Sequence, residues 1–211
     1  MDDLQFNVTL GIIILTGIIS YKAFADRAFF ERFKHHPYSE NKNKEFLRML
    51  SSGFLHGGWA HLIFNVYVLL MFGNIVEEYF VEEFGTTFGR VLYLLMYLTC
   101  IIAANIPSYF KHKENPHYGA IGASGAVSGV IFISILFRPM SGIGIIFIPL
   151  YIPAFIFGIL YLIYSSWASR NQDSRIGHDA HFYGALYGMV FIILLHPQII
   201  PEFISKIAEA F

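Results

Sequence analysis

The chain has 211 residues, of which 55% are hydrophobic, 18% aromatic and only 14% charged, against roughly 25% charged in a soluble domain. The net charge of −1 leaves no basic footprint for nucleic acid, and a single cysteine, Cys100, excludes an internal disulfide. The composition therefore predicts a polytopic membrane protein, not a soluble fold on one anchor.

Six uncharged runs of spanning length follow in order: Leu4–Tyr21, Trp59–Val76, Val91–Phe110, Tyr118–Phe137, Pro149–Ser166 and Ala180–Pro201. Each reaches the roughly 17–25 residues a helix needs to cross the hydrocarbon core. Ala23-Phe24-Ala25 mimics a signal cleavage site, but Met1-Asp-Asp opens with acid where a signal peptide carries positive charge. The first run is read as a retained span, so Asn7-Val-Thr9 is no glycosylation site. The fifth run sits in a longer uncharged stretch, Pro139–Ser169, and Pro139, Pro149 and Pro153 place its helical start near 149. One connection is long, Phe24–Gly58, and it alternates charges with Phe29, Phe30, Phe33, Phe46, Leu47 and Leu50. That spacing predicts short amphipathic helices at the membrane surface. The expected fold is all-α: a six-transmembrane-helix bundle with an interfacial amphipathic first loop. Residues 1–211 are expected to form one domain, without an obvious internal repeat or an added soluble domain.

Polar groups inside spans are costly, and three runs carry them near their starts. His56 precedes the second run, which continues with His61 and Asn65 on one helical face. The fourth carries Ser124 and Ser128 amid Gly122, Gly125 and Gly129, and the sixth carries His181 above Gly184 and Gly188. Runs two, four and six start on the same side of the membrane whatever its orientation. Small-residue faces let two helices approach closely, so Ser124 and a His181 nitrogen can meet as nucleophile and base. His61 and Asn65 would then offer donors where an oxyanion forms.

Singly, each residue has a plainer account. A lone serine back-bonds to its helix, an asparagine bridges helices, and Cys100 is core filler. Jointly, Ser124, His181, His61 and Asn65 at one depth on one face are read as a catalytic constellation. A metal site from His56, His61, His178, Asp179 and His181 competes, but the His-Glu-x-x-His signature is missing. Gly122-Ala-Ser-Gly-Ala126 is not the Gly-x-Ser-x-Gly elbow of soluble hydrolases. A catalytically silent membrane scaffold is the remaining alternative.

On His56…His61-x-x-x-Asn65, Gly122-Ala-Ser124-Gly125 and Ala180-His181-x-x-Gly184-x-x-x-Gly188, with Gly73 and Glu77, the chain resembles the rhomboid intramembrane serine proteases. The resemblance implies a Ser124–His181 dyad without a third carboxylate, metal or cofactor. The oxyanion hole would be His61, Asn65 and the Ser124 backbone N–H, with His56, Gly122, Gly125, Ser128, Gly184 and Gly188 in support. It implies single-span transmembrane proteins as substrates in the lipid bilayer, with the fifth span and the Trp167–Gly177 loop as gate. Many rhomboids place a tyrosine where Ser128 stands, stacked on the base; Ser128, Tyr183 or Tyr187 is expected to substitute. Lysine and arginine counts favour a cytoplasmic site, whereas the resemblance implies a site opening to the outer face of a bacterial cytoplasmic membrane. The resemblance is given precedence.

Overall fold

The computed structural model describes residues 7–145, 148–169 and 177–210. Ten α-helices, a short 3-10 helix (Ser52–Phe54) and one hairpin are found there: α1 (Val8–Ala25), α2 (Arg27–Phe33), α3 (Pro37–Asn43), α4 (Leu47–Ser51), α5 (Trp59–Phe84) and α6 (Thr86–His112). After these come α7 (Ser124–Phe137), β1 (Gly142–Ile145), β2 (Ile148–Pro153), α8 (Ala154–Ala168), α9 (His178–Leu195) and α10 (Ile199–Ala208). The architecture is an α-helical membrane bundle. Helices α1, α5, α6 and α9 are long and apolar enough to span a bilayer, while α7 and α8 are apolar but shorter.

Helix α7 is the centre of the bundle. Every residue from Gly125 to Phe137 is buried, as expected of a helix that is hydrophobic all round. Its 14 residues cover roughly 21 Å at 1.5 Å per residue, short of the roughly 30 Å hydrocarbon core. The uncharged run Tyr118–Phe137 is thus only partly helical. Residues 118–123 enter as irregular chain held by backbone bonds: His35 and Ala120 exchange N–H···O bonds at 3.0 Å each, and Gly122 N–H reaches Ser52 O at 3.0 Å. At the far end Lys206 of α10 donates to Phe137 O at 3.1 Å, capping a helix C-terminus with a cation.

The first loop contains the expected short helices, α2 to α4. His35, fully buried, clips it to the bundle by bridging Glu40 (2.7 Å) and Ser108 of α6 (2.9 Å). At the opposite end of the bundle, buried Glu77 accepts from Val8 N–H (2.9 Å) and Thr9 N–H (2.8 Å) at the start of α1. A carboxylate there meets the positive end of the helix dipole. Gly73 makes room for this junction, since a Cβ would lie 2.7 Å from Thr9 Cγ2 and 2.9 Å from Tyr93 Oη.

Two further element boundaries differ from the sequence reading. Pro149–Pro153 does not begin a span. It lies in β2, paired antiparallel with β1 as Gly142↔Pro153, Ile143↔Ile152 and Gly144↔Tyr151. The sixth run breaks after Leu195 and resumes as α10, whose strongly one-sided pattern suits a helix lying at an interface. Most of the proposed gate loop, 170–176, falls outside the described residues, as do Leu4–Phe6 of the first run.

Candidate active site

The site lies where the starts of α5, α7 and α9 converge, the arrangement that the alternate spans predicted. Helices α7 and α9 touch backbone to backbone. A Cβ on Gly184 would sit 2.6 Å from the Gly125 carbonyl carbon and nearer still to its oxygen, and one on Gly188 would sit 2.5 Å from Gly129 O. The α6 side of this seam is filled by the buried Cys100 thiol, 3.4 Å from Gly184 O. Only glycine at these positions permits the approach.

The contact it produces is Ser124 Oγ to His181 Nε2, at 2.8 Å. This is hydrogen-bond reach for a nucleophile and its base. Both side chains are partly buried and line a cavity of about 1640 Å³, with His61, Asn65, Tyr161 and His178 also on its wall. Such a volume exceeds the roughly 300–1,000 Å³ of small-molecule pockets and admits a segment of chain.

Ser124 is the first residue of α7, and no side chain caps that helix start. The leading N–H groups are therefore unclaimed by side chains and carry the positive end of the dipole towards Ser124. The sequence hid this feature, because an uninterrupted Gly/Ala/Ser run gives no sign of where the helix begins. The break is set at Gly122, whose φ of +119° suits glycine alone.

His61 lies over that glycine. Its Cε1 and Nε2 would be 2.9 and 3.1 Å from a Cβ at Gly122. Gly57 N–H approaches His61 Nδ1 at 3.5 Å, which leaves Nε2 as the protonated nitrogen facing the nucleophile loop. Asn65 donates one amide hydrogen to His61 O at 2.9 Å and keeps the second for a ligand in the cavity.

His56 stands behind the loop. Ser20 gives its only hydroxyl proton to Phe54 O (2.9 Å), so the 2.9 Å bond between Ser20 and His56 must be donated by Nδ1–H. Nε2 is then a bare acceptor facing Ala123 N–H at 3.5 Å, one residue before Ser124. Burial, with His61 as a lesser contribution, pushes the His56 pKa down to about 3, so the ring stays neutral in this role.

The three residues expected to orient His181 do otherwise. Ser128 donates to Ser124 O at 2.8 Å and bonds Tyr161 Oη at 2.6 Å. Tyr183 packs on Phe182 and Tyr187 on Phe191. The ring stacked near the imidazole is Tyr161 of α8, with centroids 6.3 Å apart and planes 25° apart. Asp179 turns away from the dyad to Lys111, at 3.4 Å. His178 presents its ring edge-on to His181 at 5.9 Å. Among the described residues no three His, Cys, Asp or Glu side chains gather to hold a metal.

The sequence pattern of the Rhomboid domain matches residues 43–198. The chain is 30% identical over 159 residues to Rhomboid-like protein 11, chloroplastic, of Arabidopsis thaliana, covering 70% of this chain and 52% of that protein. It is 27% identical over 157 residues to the human Presenilin-associated rhomboid-like protein, mitochondrial (72% and 38%). To the Bos taurus protein of the same name it is 26% identical over 208 residues (92% and 51%). The chain thus spans about half or less of the length of these relatives. Their names place them in organelles, not in the bacterial cytoplasmic membrane expected from the sequence.

Proposed function

The chain belongs to the rhomboid family, and we propose that it is an intramembrane serine endopeptidase acting on single-span membrane proteins. The observation that carries this reading is the 2.8 Å contact of Ser124 Oγ with His181 Nε2 at an uncapped helix start. His181 Nε2 takes the Ser124 hydroxyl proton as Oγ attacks a peptide carbonyl. The tetrahedral oxyanion is met by the Ser124 N–H, His61 Nε2–H and Asn65 Nδ2–H, donors fixed before charge develops. His181 then passes its proton to the leaving amine, which departs and leaves an acyl-enzyme. A water entering through the cavity gives its proton to His181 and attacks the ester, and Ser124 is restored.

Depth is consistent with this chemistry. An α7 of 14 residues, shorter than the hydrocarbon core, supports a Ser124 set below the membrane surface, with the cavity it lines as the route for water. The family topology would place that opening on the outer face.

The test is cleavage of a single-span substrate by the purified, reconstituted protein. Wild type should cleave, and Ser124→Ala and His181→Ala should each lose cleavage while keeping the wild-type melting temperature. Cleavage by either variant near the wild-type rate would refute the dyad. A folded wild type that cleaves no single-span substrate would favour a scaffold.

A further inference from the structure

The base in this site is held from outside the helices that carry the dyad. Ser128 has one hydroxyl proton, and Ser124 O takes it at 2.8 Å. The 2.6 Å bond between Ser128 Oγ and Tyr161 Oη is therefore donated by the tyrosine. This fixes one end of the Tyr161 side chain. Its ring is held by Phe132 and Phe157, with centroids at 5.6 and 5.8 Å. The ring face is then turned to His181 at 6.3 Å and 25°, within the separation of offset-stacked aromatic pairs. His178 closes an edge of the imidazole at 5.9 Å and 81°.

Tyr161 thus touches the base through its ring and the nucleophile's own carbonyl through Ser128. A side chain that lost the ring would open space beside the imidazole, continuous with the cavity that Tyr161 lines. The imidazole could then turn about its Cβ–Cγ bond and carry Nε2 away from Ser124 Oγ. We propose that Tyr161 of α8 is the positioning residue of the catalytic base, holding the His181 ring in the plane from which Nε2 meets Ser124. This rests on the protease reading above. It makes the dyad dependent on a third helix. Helix α8 seats on α7 through Gly158, where a Cβ would lie 3.2 Å from Ile135 Cδ1 and 3.4 Å from Phe132 Cε1, so the ring arrives only when α8 is docked.

The experiment compares wild type, Tyr161→Leu and Tyr161→Phe for kcat and KM on a reconstituted single-span substrate. A second readout is the rate at which a fluorophosphonate labels Ser124. Tyr161→Leu should lower kcat and the labelling rate together by about tenfold or more, as misplacement of a reacting pair does, with KM and melting temperature near wild type. Tyr161→Phe keeps the flat face and should stay within about threefold of wild type. If the leucine variant fails to fold, Tyr161→Met fills similar volume without a flat face and should give the same loss. Wild-type kcat in the leucine or methionine variant, a loss confined to KM, or a phenylalanine variant as slow as leucine would each overturn the proposal. Those outcomes leave the protease reading intact. A folded wild type that neither cleaves nor labels at Ser124 overturns both.

Discussion

Gly184→Ala is the smallest change that attacks the site from behind. The added methyl would lie 2.6 Å from the Gly125 carbonyl carbon and closer still to its oxygen, where real Cβ atoms keep beyond 3.0 Å. Neither partner is a side chain that can turn aside, so α7 and α9 must separate by on the order of 1 Å. Overpacking of this kind costs about 1–3 kcal/mol of stability, or about 2–4 °C in melting temperature per kcal/mol for a protein of this size. A 1 Å displacement of reacting groups costs about a hundredfold in rate, equivalent to about 2.7 kcal/mol. Ser124 and His181 each lie within a turn of the contact, on opposite sides of it. The expected result is a kcat lowered about a hundredfold in a protein that still melts cooperatively. Gly188→Ala, 2.5 Å from Gly129 O but one turn further from the dyad, should lose less. Gly17→Ala is the control, because nothing lies within 4 Å of its Cβ position and replacing a mid-helix glycine gains up to about 1 kcal/mol. The assay is substrate cleavage alongside thermal unfolding in the same detergent. Wild-type kcat in Gly184→Ala, or a loss of activity matching the loss of folded protein, would refute the geometric argument.

Two further perturbations read the donors and the supporting loop. Asn65→Ala should lower kcat by about a hundredfold with little change in KM, the lower end of the 2.7–4 kcal/mol for one oxyanion donor; an effect on KM alone would assign Asn65 to substrate binding. His56, held neutral down to about pH 3, would protonate near pH 6.5 in the unfolded chain. Unfolding therefore takes up a proton between those values, so the stability from His56 is complete above about pH 6.5. It falls by up to about 1.4 kcal/mol per unit as the pH drops below that. Melting temperatures of wild type and His56→Gln between pH 7 and 4.5 should converge as pH falls, and parallel curves would contradict the assignment.

Much of the site could be read from the sequence because its signals are local. Glycines at 125, 129, 184 and 188 repeat every fourth residue, which on any helix makes one face, and His61 and Asn65 obey the same rule. The start of α7 was not legible, since it depends on Ala120 and Gly122 pairing with His35 and Ser52, partners about 70 to 85 residues away. Tyr161 was invisible for a related reason. It is one of 13 tyrosines in an apolar run, and only packing reveals which of them faces the imidazole. The β1–β2 hairpin was hidden within an uncharged stretch that prolines marked as irregular without indicating pairing.

The glycine seam gives the protein a mechanical asymmetry. Two main chains in van der Waals contact have no rotamers to yield, and Cys100 plugs the groove behind them, so the rear wall of the cavity is stiff. The front wall is made of side chains on α8, which meets α7 through the Ile135 and Phe132 side chains and can part from it at lower cost. Compliance therefore falls on the front, while Ser124 and His181 ride together on the rear. Tyr161 is the point where the soft wall touches the stiff one, so a displacement of the front would be felt first at His181.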